Sequence, residues 1–248
     1  PAYNEELNIL NLLQNIQNYW ISDIKKENLK VVVVNDGSTD KTHDNIENFK
    51  KNIIEKNFNN FAIINLKHTK NKGLGGALKT GFDFIINLSK ESDILITMDS
   101  DNSHPIKNIR EMIQKIKEDT NITISSRYQK GSKITGVPLI RIILANIASI
   151  IFRICFPIKN VKDYTCGFRA YDLNFLKNAY KNNVNLFSEK NFSSQADILL
   201  KLRSFNKNIK VEEISMDLRY DLKSGKSKMN VIKNIFDTLL LILKRLKD

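Results

Sequence analysis

Cysteine is nearly absent from this 248-residue sequence. Cys155 and Cys166 stand eleven positions apart, with neither a C-x-x-C pair nor a histidine cluster beside them. A disulfide scaffold and a structural zinc site are excluded on that ground, and a reducing compartment fits. No secretory leader pattern is visible either. The first residues, Pro1-Ala2-Tyr3-Asn4-Glu5-Glu6, read as a loop following a strand, as in a trimmed or partial chain. Uncharged runs of membrane-spanning length are also missing. Leu139 to Phe156 comes nearest, but Arg141 and Arg153 interrupt it, and each would cost ~2.5–3.5 kcal/mol at a bilayer centre. The grammar of nucleic-acid readers is lacking too: no RNP-like aromatic set, no zinc ligands, no helix-turn-helix pattern. That last absence matters because 39 Lys and Arg oppose 27 Asp and Glu, a net charge of +12. Such a balance favours an anionic partner, whether nucleic acid, an acidic membrane surface or a phosphorylated substrate. The basic residues cluster late in the chain beside a membrane-like face, which favours lipid.

What is present is organised around Asp93-Ile94-Leu95-Ile96-Thr97-Met98-Asp99-Ser100-Asp101-Asn102-Ser103-His104-Pro105. Its apolar, β-forming start reads as a buried strand. Residues two apart on a strand point the same way. Asp99 and Asp101 are therefore expected to converge just past the strand's C-terminal edge, where open α/β sheets bind ligands. Two like charges held together call for a cation between them. A hard divalent ion, completed by substrate phosphates, answers that need.

Around this stretch, strands and helices alternate. Helical spacing is expected from Glu5 to Tyr19, and Val31 to Val34 reads as a central parallel strand. The turn Asn35-Asp36-Gly37-Ser38-Thr39-Asp40 follows, rich in capping acceptors. A strand over Ala62 to Leu66 leads to Asn71-Lys72-Gly73-Leu74-Gly75-Gly76-Ala77 and a helix from Leu78 to Leu88. That glycine loop is neither a dinucleotide fingerprint, since Leu78 stands at the third glycine, nor a P-loop. It remains either a phosphate or sugar neighbour at a helix N-terminus or a tight turn. A helix from Pro105 to Lys117 and a strand over Ile122 to Ser126 complete a pattern that predicts a right-handed, doubly wound, mostly parallel sheet. Beyond Arg127 the pattern changes. In the 138–156 segment Arg141, Asn146, Ser149 and Arg153 fall within roughly 140° of a helical wheel. This is either a helix lying in a membrane interface or one buried in the core. Asp163 to Arg169 reads as a polar turn before a helix, Phe192 to Arg203 as a helix, and Ile209 to Tyr220 as a strand. The exit Arg219 to Lys228 is a cationic Ser/Gly loop. From residue 229 to 248 a basic amphipathic helix is expected, with Lys233, Lys244, Arg245 and Lys247 suited to an acidic membrane surface.

In order along the chain, these motifs resemble the family-two glycosyltransferases of GT-A fold, and more narrowly the polyprenol-phosphate sugar transferases of the dolichol-phosphate mannosyltransferase kind. Pro1-Ala2-Tyr3-Asn4-Glu5 and Val33-Val34-Asn35-Asp36-Gly37-Ser38 resemble the nucleotide-binding loops, and Asn71 to Ala77 the loop lining the donor. Met98 to Asp101 with His104-Pro105 matches the metal-binding strand end. Ser126-Arg127-Tyr128, Gly167-Phe168-Arg169 and Gly225-Lys226-Ser227-Lys228 match later segments. The resemblance implies a Rossmann-like, mostly parallel mixed sheet forming a catalytic domain over residues 1–228, followed by interface helices. It implies a metal-dependent, inverting transfer from a nucleotide sugar to a polyprenyl phosphate at the cytoplasmic face of a membrane. The alternative is a carbohydrate hydroxyl as acceptor, which would demand a general base.

By the same resemblance, Pro1, Tyr3, Glu5, Asp36, Lys72, Gly73, Asp99 and Ser100 would bind the donor. Asp99, Asp101 and Ser103 would hold Mg2+ or Mn2+. Arg127, Arg141, Arg219, Lys226 and Ser227 would hold the acceptor phosphate. Asp99, Asp101, Arg127 and Arg219 would be catalytic. Three features depart from the family pattern. Asn35 stands where many relatives are acidic, Ser103 where some place glutamine, and the loop after Arg219 is longer, so that Arg219 and Lys223 compete for one phosphate contact. Asp197 is either a sugar-hydroxyl contact or a helix-surface charge.

Overall fold

The computed structural model describes residues 1–23, 27–56, 58, 60–225 and 231–247. The chain opens with α1 (Ile9–Asp23), β1 (Leu29–Asn35), α2 (Thr42–Glu55), β2 (Phe61–Lys67), α3 (Gly73–Leu88), β3 (Ile94–Thr97) and α4 (Asn108–Lys117). It continues through β4 (Ile122–Ser126), β5 (Lys133–Thr135), α5 (Leu139–Cys155), β6 (Arg169–Asp172), α6 (Leu173–Lys181) and α7 (Ser193–Phe205). Last come β7 (Val211–Ser215), β8 (Asp217–Arg219), a single 3-10 turn (Tyr220–Leu222) and α8 (Val231–Arg245).

The expected alternation holds through β4. Parallel partners β1 and β2 align Leu29 with Phe61 through Asn35 with Lys67. On the other side of β1, Ala2 donates its N–H to the Val34 carbonyl and accepts from the Asp36 N–H, both at 2.8 Å. A four-stranded sheet runs β3-β6-β4-β7, with β6 antiparallel to both neighbours and β4 parallel to β7. The short β5 and β8 pair in parallel.

Three elements differ from the sequence reading. The turn ending in Arg169 leads into β6 before any helix. That strand is four residues long, and its first side chain is an arginine, which hides it from a search for apolar runs. Arg169 is fully buried, and donates from Nη1 to the Gln195 carbonyl and from Nη2 to the Tyr164 carbonyl, both at 2.7 Å. Two such charge-assisted bonds offset part of its desolvation, and its buried Nε has no hydrogen-bond partner among the described residues. The single strand expected over Ile209 to Tyr220 breaks at Met216 into β7 and β8, which join different sheets. Finally, α3 starts at Gly73, so the glycines form its first turn instead of a loop ahead of it.

Two apolar cores meet under the site. The smaller includes Ile9, Leu13, Trp20, Ile46, Phe49 and Phe61, with the Trp20 ring edge-on to Phe58 at 5.8 Å. The larger gathers Phe82, Met112, Ile122, Ile124, Tyr171 and Leu199. Met98 and Ile106 pack against both, so the segment carrying the paired aspartates is held from two sides. Buried-core placement of 139–155 is ruled out, because only Ser149 and Phe152 of α5 are buried while Leu139, Ile140, Ile143, Ile147, Ile150 and Ile154 are exposed. Across from it α8 buries only Leu241 and Ile242, and exposes Ile232, Phe236, Leu239, Leu240 and Leu243. Among the described residues no helix is long and apolar enough to cross a membrane.

Candidate active site

Past β3 the chain folds back on itself. Thr97 Oγ1 donates to the Gly167 carbonyl at 2.8 Å, fastening the strand end to the Cys166–Gly167 turn. The Asp99 N–H donates to His104 Nδ1 at 3.1 Å. The imidazole hydrogen therefore lies on Nε2, which faces Asp99 Oδ2 at 3.6 Å. Phe168 stacks on the His104 ring at 5.0 Å and 7°. Asn102 turns the chain at φ +64°, its short side chain tolerating the left-handed region, and donates from Nδ2 to the Asn8 carbonyl at 3.0 Å.

The two carboxylates have different surroundings. Asp99 projects its side chain, 39% exposed, into a cleft of about 580 Å³. Asp101 is buried. Its Oδ1 accepts from the Ser103 N–H (3.2 Å) and Oγ (2.6 Å), and its Oδ2 accepts from Lys223 Nζ at 2.7 Å. Burial alone would raise the Asp101 carboxyl, but the Lys223 charge and these hydrogen bonds hold it below the usual carboxylate range. Lys223 is raised in turn, Asp101 outweighing the burial that opposes its charge.

These groups fit a divalent cation in their chemistry. Asp99, Asp101 and Ser103 offer hard oxygen atoms in one cleft, and Asp101 already engages a cationic group. No cluster of three His, Cys, Asp or Glu forms a closed cage among the described residues, so substrate or solvent oxygens would complete the shell.

Other cations differ in how they are held. Arg127 is fixed by buried Asp163, to which it donates from its backbone N–H (3.1 Å), Nε (2.8 Å) and Nη2 (2.6 Å); Nη2 also reaches Thr165 Oγ1 at 2.7 Å. Against the burial that would lower it, Asp163 raises the arginine. Burial pushes the neighbouring Cys166 thiol up to about 12, so this cysteine is an inert thiol. From α5, Arg141 donates to the Tyr220 hydroxyl at 3.0 Å, and Lys223 lies 5.4 Å over the same ring. The late loop is also latched to α1: Asn8 accepts the Ser224 N–H on Oδ1 (2.9 Å) and donates to its carbonyl (3.0 Å).

Of the residues expected at the site, Pro1, Tyr3, Glu5, Asp36, Gly73, Asp99, Ser100, Asp101, Ser103, Arg127 and Arg141 all line the cleft. Lys72 and Arg219 are not in its wall. Lys72 contributes its backbone N–H to Asp36 Oδ1 at 2.8 Å. Arg219 pairs at the exposed rim with Asp221, Nη2 to Oδ2 at 2.7 Å. Of the two competing cations, it is Lys223 that meets Asp101. Lys226 and Ser227 lie outside the described residues. Asp197 is neither a sugar contact nor a surface charge. It is fully buried, paired with Arg245 (2.6 Å) and Lys201 (3.1 Å), and accepts from Ser188 Oγ at 2.9 Å. Lys244 likewise pairs with Glu189 at 2.8 Å, so two of the four cations expected to face a membrane on α8 instead bind it to the protein. Sequence reasoning missed Asn8, Asp163 and Tyr220, whose partners are distant in the chain.

The cleft does not end at the aspartates. Ile142, Ala145 and Ile151 of α5 and Ile235, Leu239 and Ile242 of α8 extend its wall into an apolar trough.

Compared with known proteins, residues 1–179 match the sequence pattern of Glycosyl transferase family 2. The chain belongs to that family. It is 32% identical over 171 residues to a dolichol-phosphate mannosyltransferase of Pyrococcus furiosus, covering 68% of this chain and 44% of that protein. A UDP-N-acetylglucosamine–dolichyl-phosphate N-acetylglucosaminyltransferase of Methanococcus voltae is 29% identical, covering 71% and 69%. A polyprenol monophosphomannose synthase of Mycolicibacterium smegmatis is 25% identical, covering 93% and 79%. The chain thus spans less than half of the first of these relatives. Among solved structures, glucosyl-3-phosphoglycerate synthase of Mycobacterium tuberculosis, in complex with Mn2+, UDP and glucosyl-3-phosphoglycerate, superposes with a TM-score of 0.66 at 14% identity. That match covers 99% of this chain and 77% of the other. At such identity the likeness shows the fold alone. This family-2 chain has a GT-A-like α/β fold in which a mixed four-stranded sheet stands beside parallel pairs.

Proposed function

We propose that this enzyme transfers a sugar, with inversion, from a nucleotide sugar to a polyprenyl phosphate at the cytoplasmic face of a membrane. The observation that carries this reading is the continuity of the cleft, which joins Asp99 and Asp101 to the trough between α5 and α8. Both helices turn apolar side chains outward on either side of it, as an interfacial helix does. The named relatives act on dolichyl or polyprenyl phosphates, and two free thiols suit a reducing compartment.

Asp99 and Asp101, with Ser103 beside them, would hold Mg2+ or Mn2+. When bound, such an ion offsets the charge of a departing diphosphate. The remaining work falls to the chain's own groups. A lipid monophosphate has its second pKa near ~6 and is largely dianionic at neutral pH, so no strong base is required and positioning by cations dominates. Arg127, held in advance by Asp163, offers a guanidinium that need not reorganise. Arg141 on α5 stands where the trough meets the cleft and would hold the acceptor phosphate, with Lys223 against the same Tyr220 ring. The family resemblance would add Arg219, Lys226 and Ser227 to the acceptor-phosphate side. Pro1, Tyr3, Glu5, Asp36, Ser100 and the Lys72–Gly73 turn would cradle the donor. Attack opposite the leaving group gives a β-linked product from an α-linked donor.

The test is a transfer assay with Mg2+ or Mn2+, a panel of radiolabelled sugar nucleotides and a short polyprenyl phosphate. Label entering the lipid phase, dependent on metal and lost in Asp101→Ala, is expected. Donor binding or hydrolysis without lipid labelling would sink the lipid-phosphate acceptor and favour a carbohydrate hydroxyl.

A further inference from the structure

His68 is a buried histidine at the exit of β2 that neither the cleft wall nor the mechanism uses. Its backbone N–H donates to the Asn35 carbonyl at 2.9 Å, which sets the ring beside the turn that carries Asp36. Nδ1 lies 2.6 Å from Asp36 Oδ1, and Nε2 lies 2.8 Å from Thr80 Oγ1 on α3. A carboxylate only accepts, so Nδ1 carries a hydrogen. Thr80 Oγ1 is also 3.1 Å from the Gly76 carbonyl. The same Asp36 Oδ1 takes the Lys72 N–H at 2.8 Å. The result is a closed chain of polar contacts from the first turn of α3, through Thr80 and His68, to Asp36 and back to the turn before α3. Both named contacts fall on Oδ1, leaving Oδ2 as the atom of Asp36 that serves the cleft.

The geometry points to His68 as a positioning residue for donor binding: it fixes the Asp36 carboxylate so that Oδ2 accepts a hydrogen bond from the nucleoside, either a base N–H or a ribose hydroxyl. This rests on the donor-binding reading of Asp36. The alternative for such a residue is a core histidine that merely satisfies its neighbours. The two roles separate because His68 bonds through different nitrogens. Asparagine places its amide nitrogen near the position of Nδ1 and can still reach Asp36. Glutamine places its amide near Nε2, and reaches Thr80 but not Asp36. A packing role treats the two substitutions alike, whereas the positioning role does not.

The experiment is calorimetric titration of the whole chain with UDP and with GDP, in Mg2+ or Mn2+, alongside thermal unfolding of each variant. The wild type is expected to bind at least one of the two nucleotides. His68→Gln should weaken that binding by about tenfold, the loss of one oriented charge-assisted hydrogen bond, while His68→Asn stays within about threefold. In turnover the loss should appear in the donor KM, with kcat and the acceptor KM little changed. Failure of the wild type to bind either diphosphate would overturn the donor reading of Asp36, and the inference with it. Binding by the wild type, with the two variants equally weakened in step with their unfolding temperatures, or with neither weakened, would overturn the positioning role alone.

Discussion

Replacing Asp163 by asparagine removes the counterion of Arg127 and leaves the shape of the site intact. Asp163 is fully buried and accepts from three nitrogens of Arg127 and from the Cys166 N–H at 3.0 Å. Deleting one member of a buried ion pair costs ~3–5 kcal/mol. The Arg127 side chain keeps 20% of its surface exposed, so water recovers part of this and about 3 kcal/mol is expected. At roughly 2–4 °C per kcal/mol for a chain of this size, the melting temperature should fall by about 6–12 °C at pH 7. The effect has a defined pH dependence. Burial would raise the Asp163 carboxyl, but Arg127 holds it below the ordinary 3.8. Its unfolded pKa therefore lies above its folded one. The stabilisation is complete above the unfolded value and lost as pH falls through the folded value. Melting curves of wild type and Asp163→Asn should thus converge in acid. Catalysis should fall as well, because a freed guanidinium must be reordered in each turnover. A melting temperature within about 1 °C of wild type at pH 7, or a gap that does not narrow in acid, would refute the reasoning.

Two further outcomes follow from the same structure. A Cβ on Gly75 would stand 1.9 Å from the Glu189 carbonyl oxygen, whereas one on Gly81 would only touch Val34 Cγ2 at 3.3 Å. Gly75→Ala should therefore cost at least ~1–3 kcal/mol and weaken nucleotide binding, while Gly81→Ala, favoured by helix propensity, should be close to neutral in urea unfolding. On the exposed face, Ile143→Glu with Phe236→Glu should leave the unfolding midpoint nearly unchanged and reduce co-sedimentation with acidic phospholipid vesicles by tenfold or more, since each buried apolar side chain contributes ~1.5–3 kcal/mol. Undiminished vesicle binding by the double variant would remove the membrane-facing role of α5 and α8.

What the sequence makes legible here is whatever a local period or a short spacing encodes. The strand before Asp99 and the helical spacing of α5 and α8 follow from residues within a few positions of each other. Asp99 and Asp101 both line one cleft, but they lie past the end of β3 at Thr97, so the two-residue strand period is not what brings them there. Features made by distant partners are not encoded locally. Lys223 reaches Asp101 across 122 positions and Asn8 meets Ser224 across 216, and no periodicity marks either residue. The same separation explains why Asp197 is misread from sequence. A lone acid in the middle of a helix reads as surface or site until Arg245, 48 positions later, is brought onto it. Strand β6 escapes for the opposite reason. Its local signal is misleading, since a buried Arg169 interrupts the apolar run that would announce a central strand.

The glycines of α3 join both cases. Their local pattern announces a close backbone approach but not what approaches. The partner is the 188–192 segment: the Lys190 carbonyl accepts the Gly75 N–H at 2.9 Å. The same segment carries Glu189, bound to Lys244, and Asn191, whose amide donates to Asp237 Oδ2 at 2.5 Å. One short strap therefore touches the donor-side turn through the Glu189 and Lys190 backbone and the outward-facing helix α8 through the Glu189 and Asn191 side chains. Substitutions that loosen α8 from Glu189 or Asp237 should accordingly reach the donor side through Gly73 and Gly75, by a route that sequence spacing does not display.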